Sequence, residues 1–349
     1  MGILGLHDAD AIGQEKVTAS HAGGYDSHPA IELVSVADID AEKLATFGDA
    51  WEIPAERRYD DHHEMLATES LDVVSVCTPT MFHRDHVLDA VNVGDPAVVW
   101  CEKPIAASVA NAHEMIDACE ESGTELVINH SFRFCPKHVR LRELVREESL
   151  LGTVHSVSVQ FRMELIRNST HALDTLWYLL DGEPTRVSGY ITGENEAAAA
   201  LGATESVVDA GGGGYVVLDS GTFAMIDCTI PRADSSMSYQ FIGDAGKLYL
   251  NNDDGEWRYW QLDDGTHVEA PLPDLDGSWS WTEDYAAAFP GAVEHIVDIL
   301  EGRASNRSTG SEATKSLEVI VGWYLSHYTN GTVELPLDDA LRTLTISSW

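Results

Sequence analysis

Leu71-Asp72-Val73-Val74-Ser75-Val76-Cys77-Thr78-Pro79-Thr80 is a Val-rich run stopped by a proline turn, and Ala97-Val98-Val99-Trp100-Cys101-Glu102-Lys103-Pro104 repeats the arrangement further along. Short, continuous apolar runs of this kind are how a strand buried on both faces reads. Met1–Leu6, Glu32–Asp38 and Glu125–His130 have the same character. Helical spacing starts at Ala41–Phe47, and Ser108 can cap a helix with Val109, Ala112, Met115, Ile116 and Cys119 on one face. Buried strands alternating with helices predict a parallel sheet covered on both sides. Right-handed crossovers make it doubly wound.

After residue 131 the pattern changes. Val154–Met163 alternates, with His155, Val157, Val159, Phe161 and Met163 opposite Ser156, Ser158, Gln160 and Arg162. That predicts a half-exposed strand. A helix follows over Thr170–Leu180, ended by Gly182 and Pro184. Strands are expected at Arg186–Thr192, Tyr215–Leu218, Thr222–Ile230, Ser238–Ile242, Lys247–Leu250 and Trp257–Leu262, several joined by tight Gly-containing turns. Hairpins in series make an antiparallel meander. Helices at Asp284–Leu300 and Ser311–Tyr328 close the chain, and Asn195–Gly214 reads as a loop. The expected fold class is α/β: a Rossmann domain over residues 1–131, then an α+β domain over 132–349 with a large, mostly antiparallel sheet that binds substrate and mediates oligomerisation.

Among 349 residues, 58 Asp and Glu oppose 21 Lys and Arg, a net charge of -37 spread along the whole chain. Such a surface repels nucleic-acid phosphates and anionic lipid, which excludes both as partners. Molar salt shortens the Debye length to ~3 Å and screens the self-repulsion, so a halophilic cytosol is expected. Five cysteines, an odd number without a CxxC pair, give no disulfide frame or zinc ribbon, and no metal site is expected. The apolar runs are far shorter than the ~18 residues of a membrane span. Met1–Leu6 lacks the basic flank and long apolar core of a signal peptide, so the expected location is cytoplasmic.

Four features could carry chemistry. Asp38, followed by Ile39, ends the second strand, where a dinucleotide fold places an acid on the adenosine ribose hydroxyls; it would repel a 2′-phosphate, which favours NAD over NADP. The glycine loop after the first strand is altered: Gly5, Ile12 and Gly13 are the candidates, but no window reads G-x-G-x-x-G. Lys103 of Glu102-Lys103-Pro104 stands at a strand carboxyl end, where it can hydrogen-bond a substrate hydroxyl and tune its acidity. In Arg167-Asn168-Ser169-Thr170-His171-Ala172-Leu173-Asp174, His171 falls in the first helical turn with Asp174 on the same face, so His171 can move a proton and Asp174 can orient its ring. Each also has a plain reading: a solvated acid, a surface Glu–Lys pair, a capping histidine.

Together these pieces resemble the Gfo/Idh/MocA family, the glucose–fructose oxidoreductase and inositol dehydrogenase group. The resemblance rests on Leu33–Asp38, on Cys77-Thr78-Pro79-Thr80 with His83, on Glu102-Lys103-Pro104, and on Asn129–Phe134 with Pro136. It continues through His171–Asp174, Gly243–Leu248 and Leu335-Pro336. It implies a nicotinamide-dependent dehydrogenase or reductase, with NAD as cofactor and NADP possible, acting on a sugar or polyol. It also implies a homodimer or homotetramer. Thr78, Pro79, His83, Glu102, Lys103 and Arg133 would line the cofactor cleft, Lys103 would touch the substrate hydroxyl, and His171 would take or give its proton.

Two departures stand out. The family often has an Asp four residues before the histidine, where this chain has Arg167. Asn168 could serve there as an orienting group, and Arg167 could recognise a substrate carboxylate. The glycine loop is the second departure. They leave two alternatives: a non-catalytic dinucleotide- or sugar-binding regulator on the same fold, or an NAD-dependent glycosidase.

Overall fold

The computed structural model describes residues 2–4, 19–192, 206–234 and 237–347. Strands β1 (Gly2–Leu4), β2 (Ser35–Ala37), β3 (Arg58–Tyr59), β4 (Val73–Val76), β5 (Val98–Cys101) and β6 (Glu125–Ile128) form one sheet in the order β3-β2-β1-β4-β5-β6. Every pairing in it is parallel. This is the dinucleotide-fold order, which reverses between β1 and β4; ligands enter such sheets at that reversal, beyond the strand carboxyl ends. All four residues of β4 and of β5 are buried, as their nearly continuous apolar runs, broken only by Ser75, require. The strands expected at Glu32–Asp38, Leu71–Cys77, Ala97–Cys101 and Glu125–His130 are present and shorter, and Gly2–Leu4 is strand within the first expected run. The edge strand β3 was not foreseen, because two residues carry no periodicity.

The second sheet follows. It contains β7 (Val154–Arg162), β8 (Pro184–Ile191), β10 (Gly212–Leu218), β11 (Phe223–Ile230), β12 (Met237–Gly243), β13 (Gly246–Asn251), β14 (Glu256–Asp263), β15 (Thr266–Ala270) and β16 (Val333–Glu334). Their order is β15-β14-β13-β12-β7-β11-β10-β8-β16. Only β7 and β11 pair in parallel among the named strands of this sheet; the other pairs are antiparallel. Two short strands, β9 (Ser206–Val208) and β17 (Thr345–Ser347), pair separately. Part of the expected loop over 195–214 is therefore strand. Gly212, Gly213 and Gly214 lie between β8 and β11, where a Cβ would strike the carbonyls of Tyr190, Ile226 and Ser188.

Helix Thr170–Leu179 is buried at every residue. Helix Gly310–Thr329 packs against β8 and helix Val109–Ser122, so it touches both sheets' layers. Helix Ala288–Leu300 lies against the first domain: Phe289, Val293 and Ile296 share a core with Tyr25, Val36, Trp100 and Phe134. Strand order thus changes after residue 131, but a late helix returns to complete the first domain's core. Among the described residues no helix is long and apolar enough to cross a membrane.

Candidate active site

Glu102 and Lys103 follow β5 directly, and the Lys103–Pro104 bond is cis. Glu102 is the floor of a polar cluster. It accepts from Asn129 Nδ2 at 2.6 Å and lies 3.1 Å from His21 Nε2. Burial alone would raise its pKa. The hydrogen bonds and the charges of His21 and Lys103 outweigh burial and hold it at about 2. His21 stacks on Trp100 at a centroid distance of 3.5 Å, and its Nδ1 lies 2.9 Å from Ser75 Oγ. Sequence reasoning missed His21 and Asn129. Asn129 directly follows β6 and His21 opens helix His21–Asp26, far apart in the chain but side by side at the sheet's carboxyl edge.

His83 is buried and braces two loops. Its Nε2 lies 2.8 Å from the Thr78 carbonyl and its Nδ1 lies 2.9 Å from the Pro104 carbonyl. Burial lowers its pKa. The ring thus ties the Thr78-Pro79 turn to the Lys103-Pro104 turn from below. Thr78 is buried, with Oγ1 3.0 Å from His86 Nδ1, while Pro79 is exposed. Asp38 is half-buried at the end of β2 and caps the next residues by accepting from Asp40 N at 2.8 Å. Ile39 beside it is 94% exposed, an apolar side chain next to an acid where an adenosine would lie. Gly5, Ile12 and Gly13 lie outside the described residues.

In the second domain, the wide helical turn Leu165–Ser169 leads into helix Thr170–Leu179. Lys103 Nζ donates to the Arg167 carbonyl at 2.9 Å, so the two domains meet at these residues. His171 is buried; among the described residues its Nδ1 has no hydrogen-bond partner, and its ring stands edge-on to Phe132 and His130 at 5.7 and 6.1 Å. Burial first, then the positive charge of Lys103, holds its pKa well below the ordinary 6.5. At neutral pH it is an uncharged imidazole beside a lysine. His130 is likewise held at about 4, by burial against the pull of Asp174.

Four expected site residues are engaged as follows. Asp174 does not orient His171. Both its oxygens take Arg133 Nε at 2.9 Å, because a buried carboxylate three residues along the helix meets the guanidinium rising from the turn after β6. Arg133 is therefore committed to structure: besides Asp174 it donates to the Arg307 carbonyl at 2.7 Å and reaches Glu312 at 3.3 Å. Asn168 gives its amide protons to the Met163 carbonyl at 2.8 Å and to Glu164 at 3.1 Å, inside its own turn. The side chain of Arg167 is half-exposed; its backbone, not its guanidinium, meets Lys103. Among the described residues one group of possible metal ligands lies together, Asp61, His62 and His63, with His62 4.6 Å from the ring of His86, whose Nδ1 lies near Thr78.

Two family models match this chain: the NAD-binding Rossmann domain of an oxidoreductase family over residues 10–130, and that family's C-terminal alpha/beta domain over residues 149–335. The chain belongs to the Gfo/Idh/MocA oxidoreductase family. It is an NAD(P)-dependent oxidoreductase of this family's two-domain build, with the Rossmann sheet and large antiparallel sheet that the sequence led us to expect. A D-apiose dehydrogenase from Paraburkholderia graminis is 28% identical over 93% of this chain and 88% of its own length. A D-xylose 1-dehydrogenase [NADP(+)] from Haloarcula marismortui is 25% identical over 87% of this chain and 86% of its own. A crystal structure of an Agrobacterium radiobacter oxidoreductase with NAD+, L-tartaric acid and magnesium overlays with a TM-score of 0.75 at 17% identity, covering 95% of this chain and 97% of that one, which shows the shared fold.

Proposed function

We propose that this protein oxidises or reduces a CH–OH group of a sugar, a polyol or a related hydroxy compound, with Lys103 and His171 handling the hydroxyl and its proton. The observation that supports the reading is that Lys103 Nζ, at the carboxyl edge of the parallel sheet, bonds the turn that leads into the histidine's helix, with the lysine's charge felt at His171. Nicotinamide dinucleotide, when bound, supplies the acceptor or donor of the hydride. The protein's own part is proton chemistry. The Lys103 ammonium hydrogen-bonds the reacting oxygen and stabilises its negative charge. His171, uncharged at neutral pH, accepts the hydroxyl proton in oxidation and returns it in reduction. Phe132 and His130 pack the imidazole in place. Glu102 holds the main chain of Lys103, accepting from its N–H at 3.2 Å.

The residues that fit the cofactor are Asp38 and Ile39 at the adenosine end and Thr78 and Pro79 at the neighbouring strand end, with Glu102 and Lys103 deeper in. NAD is the favoured cofactor because of Asp38. The exposed side chains Tyr190, Phe223 and Met225 on the outer sheet, 45%, 40% and 58% exposed, favour a homodimer or homotetramer formed through that face.

The experiment is a screen in molar potassium chloride with D-apiose, D-xylose, D-glucose, myo-inositol and L-tartrate, following nicotinamide absorbance with NAD and NADP in parallel. Net NADH formation with one of them is the expected result. Hydrolysis of a glycoside without net NADH, or binding without turnover, would replace the dehydrogenase reading.

A further inference from the structure

Asp209 lies just before β10, outside every stretch that the sequence marks as functional, yet its side chain points at the turn that meets Lys103. Its Oδ1 accepts the N–H of Ile166 and its Oδ2 the N–H of Arg167, each at 3.0 Å. Asp209 is itself fixed through its main chain. Its own N–H donates to the Ser347 carbonyl at 2.9 Å, and the next residue's carbonyl accepts from Leu165 N at 2.9 Å. The Tyr324 hydroxyl pins the main chain on either side, donating to the Val208 carbonyl and accepting from Ala210 N, both at 3.1 Å. One residue, Arg167, thus has its N–H held by Asp209 and its carbonyl on Lys103 Nζ.

We propose that Asp209 is a positioning residue: through the Arg167 main chain it sets where the Lys103 ammonium stands and where the helix carrying His171 begins. This deepens the dehydrogenase reading and rests on it. A half-buried carboxylate on two consecutive backbone N–H groups fixes a turn more firmly than a fully solvated one could. A displacement of about 1 Å at a reacting group can cost ~10²-fold in rate.

The charge on Asp209 is held against burial. Burial raises its pKa, the three backbone N–H groups of Ile166, Arg167 and Ala210 lower it, and Glu164 raises it again, leaving about 6. The other titratable groups facing it are Tyr324 from helix Gly310–Thr329 and Cys228 from β11, neither charged near neutral pH. A raised carboxylate pKa means that the folded state prefers the protonated form. That stabilisation is present below the unfolded value of about 3.9 and is lost as pH rises through about 6. Ionised Asp209 thus adds less to stability at pH 8 than its protonated form does at low pH, and an isosteric neutral residue is expected to fold.

The test compares full-length wild type with Asp209→Asn in molar potassium chloride. Hydrogen exchange on the unliganded protein should show the amides of residues 166 and 167 exchanging ~10-fold faster in the variant, with melting temperature at pH 8 retained. In wild type, protection of the same two amides, corrected for intrinsic rate, should drop as pH falls below about 6. In turnover of myo-inositol or D-xylose, whichever wild type oxidises, kcat at pH 8 should fall ~10-fold or more with KM little changed. The wild-type decline of kcat between pH 7 and 5 should be flat in the variant. Unchanged exchange, or a wild-type kcat and pH profile in Asp209→Asn, would overturn the assignment. Should the variant unfold, the pH dependence of exchange in wild type still decides. Absence of any wild-type turnover would instead strike the dehydrogenase reading, and exchange would then judge Asp209 alone.

Discussion

Arg133 and Asp174 form a fully buried ion pair, with Arg133 Nε 2.9 Å from both carboxylate oxygens and the guanidinium 5.3 Å above the Tyr178 ring. The arginine belongs to the turn after the first sheet and the aspartate to the helix that carries His171. Asp174→Ala should leave a buried, under-paired guanidinium and destabilise the protein by ~3–5 kcal/mol. Urea unfolding in high salt checks this. A loss below ~1 kcal/mol would mean that Glu312 and water take over the charge.

His138 is fully buried, and among the described residues neither ring nitrogen has a hydrogen-bond partner; Phe132, Trp257 and Trp279 box it at 4.8, 5.0 and 4.8 Å. Burial pushes its pKa down to about 3 from an ordinary 6.5. Between those values the unfolded chain binds the extra proton. His138 therefore favours unfolding increasingly as pH falls below 6.5, by ~1.4 kcal/mol per pH unit, until the folded form also protonates near 3. Stability measured from pH 7 to 5 should fall less steeply in His138→Phe than in wild type. Equal slopes would contradict the buried neutral imidazole.

Asp38 ends β2 beside exposed Ile39. Asp38→Ser keeps a capping oxygen for Asp40 N and removes the charge that repels a 2′-phosphate. The ratio of kcat/KM with NADP to that with NAD should rise ~10-fold or more, about 1.4 kcal/mol. A ratio that does not move would take Asp38 out of cofactor selection.

The parallel sheet was legible because its central strands are buried on both faces and therefore read as nearly continuous apolar runs. The glycines at 212–214 misled, since their composition is that of a loop while their role is close approach between strands. In the site, Lys103 and His171 announce themselves through residue type at an element's end. Asp174 looked like the histidine's partner because both lie on one helix face; only the tertiary fold brings Arg133, 41 positions away in the chain, to claim it. Asp209 offered one faint signal, an acid directly before Ala210 and a glycine run. Nothing local shows that its oxygens reach residues 166 and 167.

A net charge of -37 makes self-repulsion a first-order contribution to stability. Raising potassium chloride from ~0.1 to ~2 M shortens the Debye length from ~10 Å to below ~3 Å. The unfolding midpoint should climb over this range, as read by thermal denaturation at several salt concentrations. Greatest stability at the lowest salt would rule out adaptation to a salty cytosol.

The most direct measurement of the central claim is kcat/KM for Lys103→Ala, His171→Ala and the double variant, on the hydroxy substrate that wild type oxidises, with circular dichroism confirming an unchanged fold. If the ammonium and the imidazole act on one hydroxyl, each single variant should lose at least ~10²-fold and the double variant should lose little more than the worse single. A folded Lys103→Ala or His171→Ala protein with wild-type kcat/KM would contradict the account.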